Sequence, residues 1–439
     1  MAPVRAEPPG KAAPPVLGLR EYVMEAPVFG GSVYVVEAGS PSAPPLVLIH
    51  GLGDRAARDF APLLPELSTR YRVLSFDLPG FGRSTRAPND YTPERYAAFV
   101  EAMIAQRVGG PAAVLGHSMG GAIALLHASR YPASVTRLLL LDVAGIVHYR
   151  SYARELMGAQ VAGDGPLARP LRGVSDKLFG IASWPVAGMR LETLELNRKR
   201  GLMPTMSSST TAAILFVRYD FGAALRSIRA PTWIGWGAHD KVAPRRTAET
   251  LRYLLKPETF ELFRNSGHVP MASEPALLLQ SLRRFLESTP LPPVAETPLL
   301  AGRSASCRHQ ADLVFEGDYE HIEIEHCTRV LLRNVRARSL HVVGSRVELV
   351  HVKLVSDRVA LVISGSEIQW TGGGIWAPVC VETTGSELDV MGFACVATQE
   401  PFLVHSGSRI FASVSEVWRG SLRNPLHGIH PLQPALAPR

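Results

Sequence analysis

The chain has 439 residues, 46% hydrophobic and 19% charged, the balance of a globular protein with room for one to three domains. A formal charge of +7 without a concentrated Lys/Arg tract excludes a nucleic-acid arm, and no apolar run reaches the roughly 18 residues that a membrane-spanning helix needs. The basic excess falls in residues 147–230, and residues 301–421 are slightly acidic. Solvated arginines account for this; an entrance that attracts anionic substrates or lipid surfaces is the sharper alternative.

Residues 1–27 begin MAPVRAEPPGKAAPPV and read as a flexible Pro/Ala leader. They hold no 7–15-residue apolar core of a signal peptide, which favours the cytoplasm; a periplasmic or secreted location fits a processed form. From residue 28 apolar strands alternate with amphipathic helices: GGSVYVVEAG, PPLVLIHG, YRVLSFDLPG, then the helix TPERYAAFVEAMIAQRV, the strand PAAVLGHS, the helix MGGAIALLHASRYP and the strand VTRLLLLDVAG. This rhythm predicts a parallel sheet covered on both faces. It breaks over residues 147–228, where helix-like stretches mix with Gly and Pro, and an inserted, mostly helical cap is expected there. It resumes with APTWIGWGAHD, TAETLRYLLK and TFELFRNSGHVP and closes with EPALLLQSLRRFLES, ending the unit near residue 287.

Residues 288–305 carry Pro290, Pro292, Pro293 and Pro298 and read as a semi-rigid linker. Over residues 306–421, Gly-Ser recurs at Gly344-Ser345, Gly365-Ser366, Gly385-Ser386 and Gly407-Ser408, at intervals of 21, 20 and 22 residues. Alternating apolar residues flank each copy. Short strands turning at a fixed period predict a parallel β-solenoid whose coils bury their inner faces only by stacking. Residues 422–439 are Pro-rich and expected to be disordered. The four cysteines, Cys307, Cys327, Cys380 and Cys395, show no zinc-ligand spacing; they read as buried small apolar residues, with a Cys307–Cys327 disulfide as the alternative.

Gly116-His117-Ser118-Met119-Gly120-Gly121 matches G-x-S-x-G between a predicted strand and a predicted helix, the context of a nucleophile elbow. So tight a turn needs small neighbours, and it lifts the serine hydroxyl to a helix N-terminus that favours negative charge. A serine needs a base, and His268 in NSGHVP follows the last strand. The base needs an orienting carboxylate. Asp240 in GAHDKVAP ends the preceding strand, and Asp142 in LLLLDVAG is its competitor. The oxyanion needs two backbone donors: the amide of Met119, and that of Leu52 in HGLGD. His50 reads as a loop organiser and His239 as structural.

HGLGD, FDLPGFGRS, GHSMGG, GAHDKVAP and NSGHVP together resemble the α/β-hydrolase superfamily, nearest its capped esterase, lipase and carbon–carbon-bond hydrolase branches, over about residues 28–287. The resemblance implies an α/β-hydrolase sandwich with a cap, and a nucleophile, acid and base in the order Ser118, Asp240, His268. A serine at position 118 argues against the branches that use aspartate there. The expectation is ester cleavage through an acyl-enzyme on Ser118, without metal or organic cofactor. Carbon–carbon hydrolysis and acyl transfer are alternatives, and a non-catalytic binding protein is a further one. The expected partner is a small ester with an apolar acyl group, held partly by cap residues among Leu178, Phe179, Ile181, Trp184, Leu202, Met203, Met206, Ile214, Leu215 and Phe216. The solenoid is open to three readings: stabilisation or self-association, glycan or cell-surface binding, and a second catalytic site.

Overall fold

The computed structural model describes residues 15–53, 55–86, 90–147, 208–289 and 302–432. The N-terminal unit is an eight-stranded sheet. Its strands are β1 (Arg20–Glu25), β2 (Ser32–Ala38), β3 (Pro45–Ile49), β4 (Arg72–Phe76), β5 (Ala112–His117), β6 (Val135–Leu141), β7 (Thr232–Gly237) and β8 (Thr259–Phe263), in the order β1-β2-β4-β3-β5-β6-β7-β8. The pairs β1/β2 and β2/β4 are antiparallel and the others parallel. The helices are α1 (Leu64–Leu67), α2 (Pro93–Arg107), α3 (Met119–Arg130), α4 (Ser208–Arg218), α5 (Gly222–Ser227), α6 (Arg245–Leu255), α7 (Pro270–Ser273) and α8 (Pro275–Glu287). The start of α2 follows from sequence: Thr92 caps it by accepting the Arg95 amide at 3.3 Å, and Pro93 takes the first turn, where no amide is needed. Strands such as β5, buried at every position, are the continuous apolar runs of a sheet covered on both faces.

Strand β1 corrects the leader expected over residues 1–27. Residues 20–25 pair with Ser32 to Glu37 of β2. Tyr22 donates to Glu37 at 2.8 Å, and Arg20 pairs with the same carboxylate. The strand is an exposed edge with charged ends, so its apolar signal is weak. Of the expected cap, residues 148–207 lie outside the described residues, and with them Leu178, Phe179, Ile181, Trp184, Leu202, Met203 and Met206. Ile214, Leu215 and Phe216 sit on α4. Phe216 is buried against Tyr96 and Phe221, so it packs into the core.

The second unit stacks its strands in parallel coils. Its strands are β9 (Arg303–Arg308), β10 (Val314–Glu325), β11 (Val330–Val343), β12 (Arg346–Val355), β13 (Val359–Ser364), β14 (Glu367–Ala377), β15 (Val379–Thr384), β16 (Glu387–Ala397), β17 (Phe402–Val404), β18 (Ser408–Arg419) and β19 (Leu422–Leu432). Long strands pair as β11-β12-β14-β16-β18 and short ones as β11-β13-β15-β17. The register aligns identical positions of each coil: Val347, Ile368, Leu388 and Ile410 form one inward column, and Leu349, Trp370, Val390 and Ala412 the next. All eight are buried, each large apolar side chain contributing about 1.5–3 kcal/mol of burial.

The Gly-Ser repeat has a physical cause. Gly344, Gly365 and Gly385 turn at φ 55°, 54° and 53°, where a β-carbon is disfavoured. The serine that follows makes a ladder between coils. Ser345 accepts the Cys327 amide, Ser366 that of Ser345, Ser386 that of Ser366 and Ser408 that of Ser386, at 2.9–3.2 Å. Each hydroxyl donates in turn to a carbonyl two residues back in its own coil.

Three further expectations need correction. Residues 422–432, read as the start of a disordered tail, form β19, antiparallel to β18 after a two-residue turn at Gly420-Ser421. Its Pro425 and Pro431 are tolerated because β19 is the last strand of the sheet; residues 433–439 lie outside the described residues. The cysteines are buried, as read, but bonded: Cys307 to Cys327, and Cys380 to Cys395. Strand β9 also begins within the expected linker, of which residues 290–301 lie outside the described residues.

The coils pack against α5 and α6. The Arg246 guanidinium, on α6, is buried against them. It donates to Thr371 Oγ1 at 2.8 Å, Asp389 Oδ1 at 2.9 Å, the Asp389 carbonyl at 2.8 Å and the Trp370 carbonyl at 3.1 Å. Gly372 and Gly392 permit the approach: a β-carbon there would lie 2.7 Å from Tyr253 Cβ and 2.8 Å from Thr250 Cγ2. His351 donates to the Glu249 carbonyl at 2.9 Å, and Arg226 on α5 pairs with Glu416 at 3.1 Å. Met391 and Val414 of the coils join the core of the first unit.

Candidate active site

Ser118 occupies the turn between β5 and α3 at φ 55° and ψ −122°, a conformation that side chains rarely adopt and that surrounding packing must enforce. The enforcement is visible at the glycines. A β-carbon on Gly116 would lie 2.2 Å from the Gly120 carbonyl oxygen, and one on Gly120 would lie 2.2 Å from that of Ile49. On Gly121 it would meet Val143 at 2.7 Å. The Ser118 amide donates to the Leu141 carbonyl at 3.0 Å, tying the turn to β6.

His268 stands on the loop between β8 and α7. Its Nε2 is 2.9 Å from Ser118 Oγ and its Nδ1 is 2.7 Å from Asp240 Oδ2. Ser118 and Asp240 are buried and His268 partly so. Asp240 Oδ1 accepts the amides of Val242 and Ala243 at 2.7 and 2.9 Å. Burial alone would raise the Asp240 pKa. The hydrogen bond and charge of His268, the Ala243 amide and the neighbouring Asp142 carboxyl outweigh it and hold the carboxyl below its usual range. The structure therefore brings together the three residues singled out in the sequence, with Asp240 rather than Asp142 on the histidine.

The loops that carry them are tied to one another. The His239 amide donates to the Ser266 carbonyl at 2.9 Å. A β-carbon on Gly237 would lie 2.0 Å from the Gly267 carbonyl oxygen, so this strand end must be glycine for the His268 loop to reach the serine. Glu274 accepts from Ser266 Oγ at 2.6 Å and from the Asn265 amide at 3.1 Å. His117 Nε2 donates to the His268 carbonyl at 2.7 Å. Burial, with the nearby His268 adding to it, pushes the His117 pKa down to about 3, so its ring is neutral at pH 7. The contributions of Glu274 and His117 carry no signal in the sequence beyond their nearness to the motifs.

The Leu52 loop crosses over the serine, since a β-carbon on Gly51 would lie 2.7 Å from Ser118 Cβ. His50 is buried beneath this loop. Its Nε2 accepts the Leu78 amide at 2.8 Å, which leaves Nδ1 to donate to the Gly51 carbonyl at 2.7 Å. One ring thus joins the Leu52 loop to the loop after β4. There Asp77 accepts the amides of Ala57 at 3.0 Å and Arg83 at 2.8 Å. Met119 opens α3 directly after the serine. The candidate ion-ligand group found among the described residues is Asp142, Asp240 and His268, with ligand atoms within 4.8 Å of one another. Both nitrogens of that histidine already face Asp240 and Ser118.

The model of the alpha/beta hydrolase family matches residues 46–280, more than half of the chain. A 2-hydroxy-6-oxo-2,4-heptadienoate hydrolase of Pseudomonas putida is 28% identical over 247 residues, covering 54% of this chain and 85% of its own. Lipase 3 of a Moraxella species is 25% identical over 255 residues, covering 55% and 77%. Among solved structures, a membrane phospholipase A is 27% identical with a TM-score of 0.45, covering 62% of this chain and 86% of its own. The chain belongs to the alpha/beta hydrolase family.

Proposed function

We propose that this protein is a serine hydrolase that cleaves carboxylic esters through an acyl-enzyme on Ser118. The observation that carries the reading is the continuous relay from Ser118 Oγ through both nitrogens of His268 to Asp240, at 2.9 and 2.7 Å. His268 takes the hydroxyl proton as Ser118 attacks the carbonyl carbon, and Asp240 stabilises the imidazolium that forms. The amides of Leu52 and Met119 hold the tetrahedral oxyanion. His268 then gives its proton to the leaving alcohol and activates the water that releases the acid. The exposed side chains of Val242 and Val269 neighbour the triad in sequence, Leu52 is exposed on the loop that crosses Ser118, and all three favour an apolar acyl group.

The lipase relative supports this reading. The Pseudomonas relative, a heptadienoate hydrolase, supports a second one, in which the same residues hydrolyse a carbon–carbon bond of a vinylogous diketone. The test is turnover of p-nitrophenyl esters from acetate to palmitate by the whole chain and by Ser118→Ala. Ester turnover that vanishes in the variant is the expected result, and the best chain length sizes the pocket. Turnover of a vinylogous diketone with none on any ester would overturn ester cleavage in favour of the second reading.

A further inference from the structure

Asp142 is a buried acid that the mechanism above leaves unused. It directly follows β6 at φ 45° with no exposed surface. Its Oδ1 accepts the Gly237 amide at 2.8 Å, while its buried Oδ2 has no donor among the described residues. A carboxyl oxygen of Asp142 lies within 4.8 Å of one of Asp240. Asp240 is already committed as an acceptor to two amides and to His268. Two buried carboxylates at this distance cannot both carry charge without large cost, and an ionised Asp142 would leave an oxygen aimed at a second anion. A proton on Oδ2 turns the orphaned acceptor into a donor to Asp240.

We propose that Asp142 stands behind the triad as a neutral carboxylic acid that donates a hydrogen bond to Asp240, and that it acts as a positioning residue for the His268 base. The inference rests on the serine-hydrolase reading but on neither choice of substrate. Among the described residues, the groups facing Asp142 are the Gly237 amide and Asp240 from the end of β7 and its loop, and His268 from the loop after β8. His117 of the nucleophile turn, behind His268, is neutral. Burial, followed by the neighbouring Asp240, pushes the Asp142 pKa up to about 9, the direction the geometry demands. The proton is therefore present at pH 7 and leaves as the pH rises through about 9. The two carboxylates then repel, and Asp240 loses one of the donors that hold it beside His268.

The test is the rate at which a fluorophosphonate labels Ser118, measured against pH in the whole chain, in Asp142→Asn and in Asp142→Ala. This readout needs the serine and its base but no substrate, so labelling without ester turnover would fault the ester reading alone. Asparagine supplies the same donor without a titrating proton. The wild type should lose labelling rate several-fold as the pH passes about 9, and Asp142→Asn should hold its rate over that range. Asp142→Ala should label at least tenfold more slowly at pH 7. Identical alkaline profiles for wild type and Asp142→Asn would overturn the proposal. Infrared spectra of wild type with carbon-13 aspartate give a test that needs no variant to fold. An un-ionised aspartic acid band at pH 7 supports the proposal, and its absence overturns it.

Discussion

In the N-terminal sheet the three strand ends that carry the triad differ from one another, whereas in the solenoid one corner recurs with the same glycine dihedral at Gly344, Gly365 and Gly385 and the same serine bonds. Ser118, Asp240 and His268 each come from the end of a different strand, β5, β7 and β8, and each junction has its own steric demand. Gly116 and Gly120 clear the nucleophile turn, and Gly237 clears the base loop. In the solenoid, a single set of bonds is copied from Ser345 to Ser408. Irregular junctions concentrate chemistry at one point; repeated corners spread stabilisation evenly along an axis. The first unit should therefore fail abruptly in function, and the second gradually in stability.

Ser118→Ala is the largest expected break. It should lower turnover by roughly 10⁴-fold or more while leaving the thermal midpoint of the chain at or above that of wild type, because the φ of 55° is no worse for alanine than for serine. Loss of stability equal to the loss of function would show that this junction is held by the hydroxyl rather than by its glycines.

Arg246→Ala comes next and tests whether the two regions are separate at all. Its guanidinium is buried with four acceptors on the coils, among them the Asp389 carboxylate. Removing one member of a buried ion pair strands the other, at a cost of about 3–5 kcal/mol. Denaturant unfolding should register that loss. A change below about 1 kcal/mol would mean that water reaches Asp389 and that the solenoid is only tethered. Helix α6 begins five residues after Asp240, so the contact also braces the loop that carries the triad acid.

The disulfide between Cys380 and Cys395 closes a loop with a sequence separation of 15, for which chain entropy gives about 3 kcal/mol. Replacing both cysteines by alanine should lower the unfolding free energy by about that amount. Fluorophosphonate labelling of Ser118 at 25 °C should not change, because neither cysteine touches the first unit's site. A parallel fall in labelling would show that the coils reach the active site through more than Arg246.

What could be read in the sequence divides along the same line. The triad was legible because acyl-transfer chemistry demands a serine between glycines, a histidine on a later loop and an acid before it. The solenoid was legible because stacking demands identical residues at a fixed period. Asp142 was legible only as a rival to Asp240, since sequence order says nothing of how two strand ends converge. Strand β1 was hidden by its charged, half-exposed edge, and β19 by its prolines. The cysteine pairs follow from which coils stack, and spacing alone left them open. The cradle around Arg246 was out of reach for the same reason: Thr371, Trp370 and Asp389 meet a helix distant in sequence.

The smallest effect is the sharpest test of the repeat. Ser386 accepts the Ser366 amide at 3.2 Å and donates to the Thr384 carbonyl at 2.9 Å. Alanine leaves both backbone groups without that partner in a buried corner, which costs about 1–3 kcal/mol. The neighbouring rungs have the same geometry, so Ser366→Ala should cost nearly the same. In a one-dimensional stack only neighbouring coils interact, so the double variant should depart from additivity only through residue 366, whose hydroxyl makes one rung and whose amide makes the next. Ser345→Ala with Ser408→Ala, which share no rung, should add within about 0.5 kcal/mol. Equal single costs with that pattern of coupling would mean that the ladder is a set of interchangeable bonds. Unequal costs would mean that one corner dominates, and that the solenoid owes its stability to a local site, as the nucleophile turn owes its chemistry.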